Sequence, residues 1–189
     1  GAFYVWYATI EHINFETALN SAGLHVRQQL IWVKNSFILG RNDYHWQHEP
    51  CLYGWKGGSG HYFVDDRTQS TIIEDKPIDY DNLSKEEAVK MLKKVYSAQL
   101  PSTIIRENKP LKNDLHPTMK PINLMAKLIR NSSEESEIVL DLFGGSGSTL
   151  IACEQLNRKC YMMEYDPRYA DVIIDRWENF TGKKAKKIK

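Results

Sequence analysis

The chain is short of the features that staple small proteins or anchor membrane ones. It has three cysteines, Cys51, Cys153 and Cys160. They are too few and too scattered for a disulfide framework, and a reducing, cytoplasmic setting is expected. No apolar run approaches the roughly 18 residues of a membrane span. No charged-then-apolar leader opens the sequence, so no membrane partner is expected. There is little net charge either, with 25 basic residues against 24 acidic ones. What is present is an ordinary globular composition: 189 residues, 42% hydrophobic and 26% charged. That length supports a core without metal or disulfide, and the composition excludes a collagen, a disordered tail and a disulfide-rich toxin.

The small net charge conceals an asymmetry. Residues 183–189 carry five lysines and leave an acidic remainder. A basic tail is able to bind phosphate backbones, but a solvated, frayed terminus is the simpler expectation. At the other end Gly1 stands in place of Met, and the apolar run of residues 2–8 begins at once. A piece of a longer protein is therefore expected.

Hydrophobic patterning divides the chain. Residues 2–8 read as a buried strand, and Phe15, Ala18, Leu19 and Ala22 follow at helical spacing up to Gly23. Residues 26–33 and 51–55 read as two further strands, while 35–47 are polar and aromatic without a period. Residues 57–82 are rich in loop signals. Ser84 and Glu87 form a capping box for a helix carrying Ala88, Met91, Leu92 and Val95 on one face. The last third reads strand–helix–strand–helix. Ile122, Met125, Leu128 and Ile129 mark an amphipathic helix. Residues 138–143 form a continuous apolar strand, as in a sheet covered on both faces. A helix runs through Leu150, Ile151, Cys153 and Leu156, and a strand through 160–163. Tyr169, Val172, Ile173, Trp177 and Phe180 line a final helix. Alternation of this kind predicts an α/β fold with parallel pairing.

Chemistry concentrates at one turn. Asp141-Leu142-Phe143-Gly144-Gly145-Ser146-Gly147 joins a buried strand to a helix. Glycine there permits positive φ and close approach of a ligand to the main chain, and the helix start offers free N–H groups. Glu164 ends the next strand, where a carboxylate can accept both hydroxyls of a ribose. The pattern points to an adenosine-containing ligand. The third glycine of a nicotinamide fingerprint is replaced by Leu150, and no lysine follows Gly147 as a P-loop requires.

Asp-x-Phe-x-Gly-x-Gly, as spelled here, resembles the S-adenosylmethionine loop of amino DNA methyltransferases. His116-Pro117-Thr118-Met119-Lys120-Pro121 just before it is similar to the family run that opens the helix over the methionine end of the cofactor. Upstream, Leu30-Ile31-Trp32-Val33-Lys34-Asn35 and His48-Glu49-Pro50 resemble the family's later strands and hairpin. The stretch from Gly40 to Glu49 and Tyr53-Gly54-Trp55-Lys56 resemble phage and prophage members. Strand motifs before the cofactor loop is the order of the beta class.

The resemblance implies a Rossmann-like fold and methyl transfer from S-adenosylmethionine to an exocyclic amine of a flipped base in double-stranded DNA, as in restriction-modification systems. Adenine N6 is the default target that the resemblance implies, with cytosine N4 left open. The implied cofactor residues are Asp141, Phe143, Gly145, Gly147, Glu164, Asp166, Thr118 and Lys120. The implied DNA-binding residues are Lys34, Arg41, Lys56 and Arg67, with Lys109 and Lys112 as further candidates for phosphate contact. The implied division is strands of the catalytic half in 1–56, a target-recognition insertion in 57–113, a cofactor-binding half in 114–182 and the basic tail in 183–189.

The family's catalytic motif reads Asp/Asn/Ser-Pro-Pro-aromatic, and this chain contains no Pro-Pro pair. Asp166-Pro167-Arg168-Tyr169 only looks like it: an aspartate N-cap and a first-turn proline start the last helix. The expected consequence is a sheet lacking its central catalytic strand, edges open to dimerisation, and a fragment inactive by itself. Two rival readings remain. Pro50-Cys51 echoes the nucleophile of cytosine-5 methyltransferases, though Cys51 reads as a buried strand residue. A non-catalytic DNA-binding remnant is the other. His45, His48, Glu49, Cys51 and His61 cluster in sequence but lack paired zinc-ligand spacing, so no metal is expected.

Overall fold

The aromatic and β-branched residues after Gly1 favour extended backbone, and they form strand β1 (Ala2–Trp6). The computed structural model describes residues 1–34, 36, 37, 39, 41, 43–66, 69–74 and 119–188. The chain divides into two units, 1–108 and 109–189. The expected helix at 84–97 and most of the 57–113 insertion lie outside the described residues.

In the first unit, β1 leads through a single 3-10 turn into helix α1 (His12–Ser21), which stops at Gly23 with φ +74°. Strands β2 (Leu24–Val33) and β3 (His48–Lys56) form a long antiparallel hairpin. β3 also pairs antiparallel with β1, and β4 (Ile72–Glu74) pairs parallel with β2, giving the order β1-β3-β2-β4. The central position of β3 explains why Cys51 and Leu52 are fully buried. Tyr4 stacks on Tyr53 and Trp6 meets Trp32 edge-on, so the sheet is held largely by aromatic neighbours. β1, β2 and β4 share one direction, and the loop from β2 to β3 leaves from their carboxyl ends. β4 was not foreseen in the loop-rich stretch. Three residues are too few to show a period, and only pairing with β2 makes Ile73 a core residue.

In the second unit, α2 (Ile122–Ser132) buries Leu124, Ala126, Leu128 and Ile129; of the four residues expected on its apolar face, Leu128 and Ile129 are buried and Ile122 and Met125 are half-buried. β5 (Ile138–Asp141) and β6 (Lys159–Met162) pair in parallel across helix α3 (Ser148–Gln155). Helix α4 (Pro167–Thr181) follows. Ala126 and Ile129 of α2 pack on Ala152 and Cys153 of α3, and Val139 and Cys160 of the strands complete that cluster. The expectation of a strand covered on both faces is corrected here. Side chains alternate across a strand. Val139 and Cys160 face the helices, whereas Ile138, Leu140 and Tyr161 are each about 60% exposed.

The start of the basic tail is also tied down. Lys183 pairs with Glu154 of α3, Lys184 pairs with Glu178 of α4, and the Ala185 N–H donates to Glu178. Lys183 holds the Glu154 carboxyl below its ordinary range, and Lys184 does the same for Glu178. Among the described residues, no helix is long and apolar enough to cross a membrane.

Two outcomes follow from this packing. A Cβ on Gly54 would lie 2.1 Å from the His25 carbonyl oxygen and 2.8 Å from the Phe3 ring. Gly54→Ala should therefore destabilise the first unit by about 1–3 kcal/mol, read from the urea midpoint. Depressed carboxyl pKa values mean that the tail contacts persist above the ordinary carboxylate range and are lost as pH falls through the depressed values. The Ala185 amide resonance, followed through an acid titration, should shift in that low range and stay constant from there to neutrality.

Candidate functional site

The parallel register of β5 and β6 sets Asp141 level with Met162, so the two strands end side by side. The turn after β5 and the acid after β6 are thereby neighbours. The Met163 N–H donates to the Asp141 carbonyl at 2.9 Å, and the Gly144 N–H donates to the Met163 carbonyl at 2.8 Å. Glu164 then closes the arrangement. One carboxylate oxygen accepts the Gly145 N–H at 2.7 Å and the other accepts the Asp166 N–H at 3.0 Å. Backbone donors thus hold a carboxyl group at the carboxyl ends of two parallel strands, the place where α/β sheets bind ligands.

The turn takes its shape from glycine at two positions. Gly145 has φ +55°, and Gly147, the N-cap of α3, has φ +79°. The Asp141 carboxylate accepts the Phe143 N–H at 3.0 Å and so shapes the turn from within. Phe143 and Tyr165 project into solvent beside the two strand ends, at 87% and 101% exposure. They are suited to lie against a flat aromatic ligand. Asp166 caps α4 by accepting the Arg168 N–H at 2.9 Å, and the Arg168 guanidinium also binds it and holds its carboxyl below the usual range. Its side chain is committed to the cap. The Lys120 carbonyl accepts the Ser148 hydroxyl at 2.8 Å, which links the entry of α2 to the start of α3. Thr118 lies outside the described residues.

Six of the eight residues expected to hold a cofactor therefore gather at one turn: Asp141, Phe143, Gly145, Gly147, Glu164 and Asp166. Lys120 reaches that turn through its main chain. Sequence reasoning missed Arg176, whose guanidinium donates to the Ser146 carbonyl at 2.8 Å, the Ser146 hydroxyl at 3.1 Å and the Ser148 hydroxyl at 3.3 Å. The available signal was a cation three positions after Ile173, inside an otherwise apolar helical stripe.

The residues expected to meet DNA are arranged differently. Arg41 and Lys56 are exposed. Lys34 is buried, and its ammonium lies 2.8 Å from Glu49 and over the Trp32 ring. That charge is spent inside the fold, so Lys34 is not positioned to reach a phosphate. Arg67 lies outside the described residues. Cys51 is fully buried at the centre of the sheet, with its thiol directed to the Leu52 carbonyl, which leaves no approach for a target base. Among the described residues no group of three or more His, Cys, Asp or Glu side chains is placed to hold a metal ion.

The family model described as DNA methylase, of the N6/N4 type, matches residues 3–175. The type II methyltransferase M.BglI of Bacillus subtilis is 30% identical over 181 residues, covering 92% of this chain and 46% of the relative. M.BglII, also of Bacillus subtilis, is 26% identical over 164 residues, covering 85% of this chain and 44% of the relative. This chain therefore spans about half the length of these curated relatives. The solved complex of M1.HpyAVI with S-adenosylmethionine superposes with a TM-score of 0.65 at 25% identity, covering 94% of this chain and 74% of that one.

A methyl group at position 147 tests the turn. It would stand 3.2 Å from Ile173 on a backbone at φ +79°. Gly147→Ala should cost about 1–2 kcal/mol from the left-handed conformation alone. Chemical denaturation of the second unit, followed by Trp177 fluorescence, measures the loss.

Proposed function

This chain belongs to the N6/N4 DNA methylase family, and from that membership we propose that it is the cofactor-holding part of an S-adenosylmethionine-dependent DNA methyltransferase. The observation that carries the reading is the Glu164 carboxylate held against the glycine turn at the ends of β5 and β6. In this reading Glu164 accepts the ribose hydroxyls. Phe143 and Tyr165 flank the adenine, and Lys120 meets the methionine carboxylate, a role the resemblance also gives to Thr118. The sulfonium supplies an electrophilic methyl. When bound, the cofactor would offer that methyl group to an amine, and Glu164 with the glycine turn would hold its nucleoside end. The target is an exocyclic amine of a base flipped from double-stranded DNA, adenine N6 in preference to cytosine N4. Among the DNA candidates, the exposed Arg41 and Lys56 take phosphates.

This chain by itself is proposed to be inactive. Holding the amine in line with the sulfonium can supply roughly 7–11 kcal/mol of the barrier. The Pro-Pro-aromatic motif that would grip the base is absent from these 189 residues. Among the described strands, β1 has no outer neighbour and β5 and β6 each have one open edge. Such edges favour pairing with further chain or with a second copy.

Two measurements test the reading. Isothermal titration should show S-adenosylmethionine binding that Glu164→Ala weakens by roughly 1–3 kcal/mol, with Glu164→Gln intermediate because it retains one acceptor oxygen. Unchanged binding in both variants removes Glu164 from the role. Tritiated methyl transfer to duplex DNA should be absent with this chain alone and appear only when a separately made half carrying the missing motif is added. Activity of this chain alone overturns the proposed division of labour.

A further inference from the structure

Helix α4 directs one face at the glycine turn. Ile173 fills the space in front of both Gly144 and Gly147, where added Cβ atoms would lie 3.0 Å and 3.2 Å from its side chain. One helical turn further on, Arg176 makes its three hydrogen bonds to Ser146 and Ser148. The Ser148 hydroxyl donates in turn to the Lys120 carbonyl. The guanidinium is half-buried, and no carboxylate pairs with it among the described residues. Removal from water pushes its pKa down, with no neighbouring charge to offset the effect. Ser146 and Ser148 are themselves buried. A cation kept at such a place without a counter-charge is not explained by packing, since an apolar side chain would fill the same volume without the desolvation penalty.

We infer that Arg176 is a positioning residue for the cofactor turn, joining α4, the Ser146–Ser148 segment and the Lys120 entry of α2 into one rigid cradle. It acts through the serines and not by touching the ligand. Its donors fix the peptide between Ser146 and Gly147, so the turn is already in its binding shape before a ligand arrives. Preorganisation of this kind strengthens binding by removing the ordering penalty. The inference deepens the S-adenosylmethionine reading and rests on it for the ligand, while its structural half can be tested with no ligand present.

The test uses the full chain, with Arg176→Met, Arg176→Lys and Ser148→Ala variants and two readouts. In hydrogen exchange without ligand, Arg176→Met should speed exchange of the amides at 146–151 at least ten-fold and leave those of α2 at 126–130 unchanged. In calorimetry, the same variant should weaken S-adenosylmethionine binding at least ten-fold. Arg176→Lys, which keeps one charged donor, should recover part of both effects. Ser148→Ala should add little to Arg176→Met, because both break the same chain of hydrogen bonds. Faster exchange spread evenly over 122–181 would make Arg176 merely structural and overturn the inference. So would unaltered affinity in Arg176→Met. A parent chain that fails to bind S-adenosylmethionine overturns the cofactor reading instead, and the exchange pattern then decides the hold of Arg176 on the turn.

Discussion

Everything at the candidate site depends on one carboxylate accepting two backbone N–H groups. Glu164 joins Gly145, in the turn after β5, to Asp166, the cap of α4. The clasp is available only because parallel pairing sets Asp141 level with Met162. A slip of one residue would send Glu164 to the opposite face of the sheet. The register is in turn defended by burial. Val139 and Cys160 must face Ala152 and Cys153, and any other alignment would exchange them for exposed neighbours. Helix packing therefore determines where the acid stands, and the acid determines the shape of the turn.

The two units differ in what they offer chemically. The second presents a turn with oriented donors, a carboxyl group held by backbone N–H groups and exposed aromatic side chains, a set suited to a nucleoside. The first presents a strongly aromatic sheet whose three like-directed strands end near the loop between β2 and β3, where Arg41 stands exposed. Its buried Lys34 is matched by Glu49. Family membership is secured along nearly the whole chain, yet the curated relatives are about twice as long. An exposed apolar face on β5 and β6 and an open edge at β1 are consistent with a fold that has further surfaces to bury.

Local signals in the sequence were sufficient for much of this. Glycine spacing placed the turn, because only a chain needing positive φ concentrates glycine between an apolar strand and a helix. Asp166-Pro167 announced a helix start, since proline at the first turn loses no hydrogen bond. The stripe at Ile122, Met125, Leu128 and Ile129 found the side of α2 that meets the core, although Leu124 and Ala126 are buried more deeply than Ile122 and Met125. Each of these features depends on contacts within a few residues, or on a periodicity that a short window displays. The same logic placed Glu164 at a strand end, two residues before the helix cap.

Only the tertiary structure decided what lies between distant segments. β4 exists because β2 offers it a partner, and three residues carry no period of their own. Lys34 looked like a cation for DNA until the sheet placed Glu49 beside it. The apolar run at 138–143 suggested cover on both faces, but hydrophobicity in a strand does not reveal which neighbours are present. Arg176 was hidden for the same reason. Its role depends on a guanidinium on α4 reaching a turn some thirty residues earlier, and such a contact leaves no trace in spacing. The sequence by itself determined the identity of the turn and its acid, because backbone conformation is set locally. The clasp, the register and the buried cation required the fold, because they are made by residues far apart in the chain.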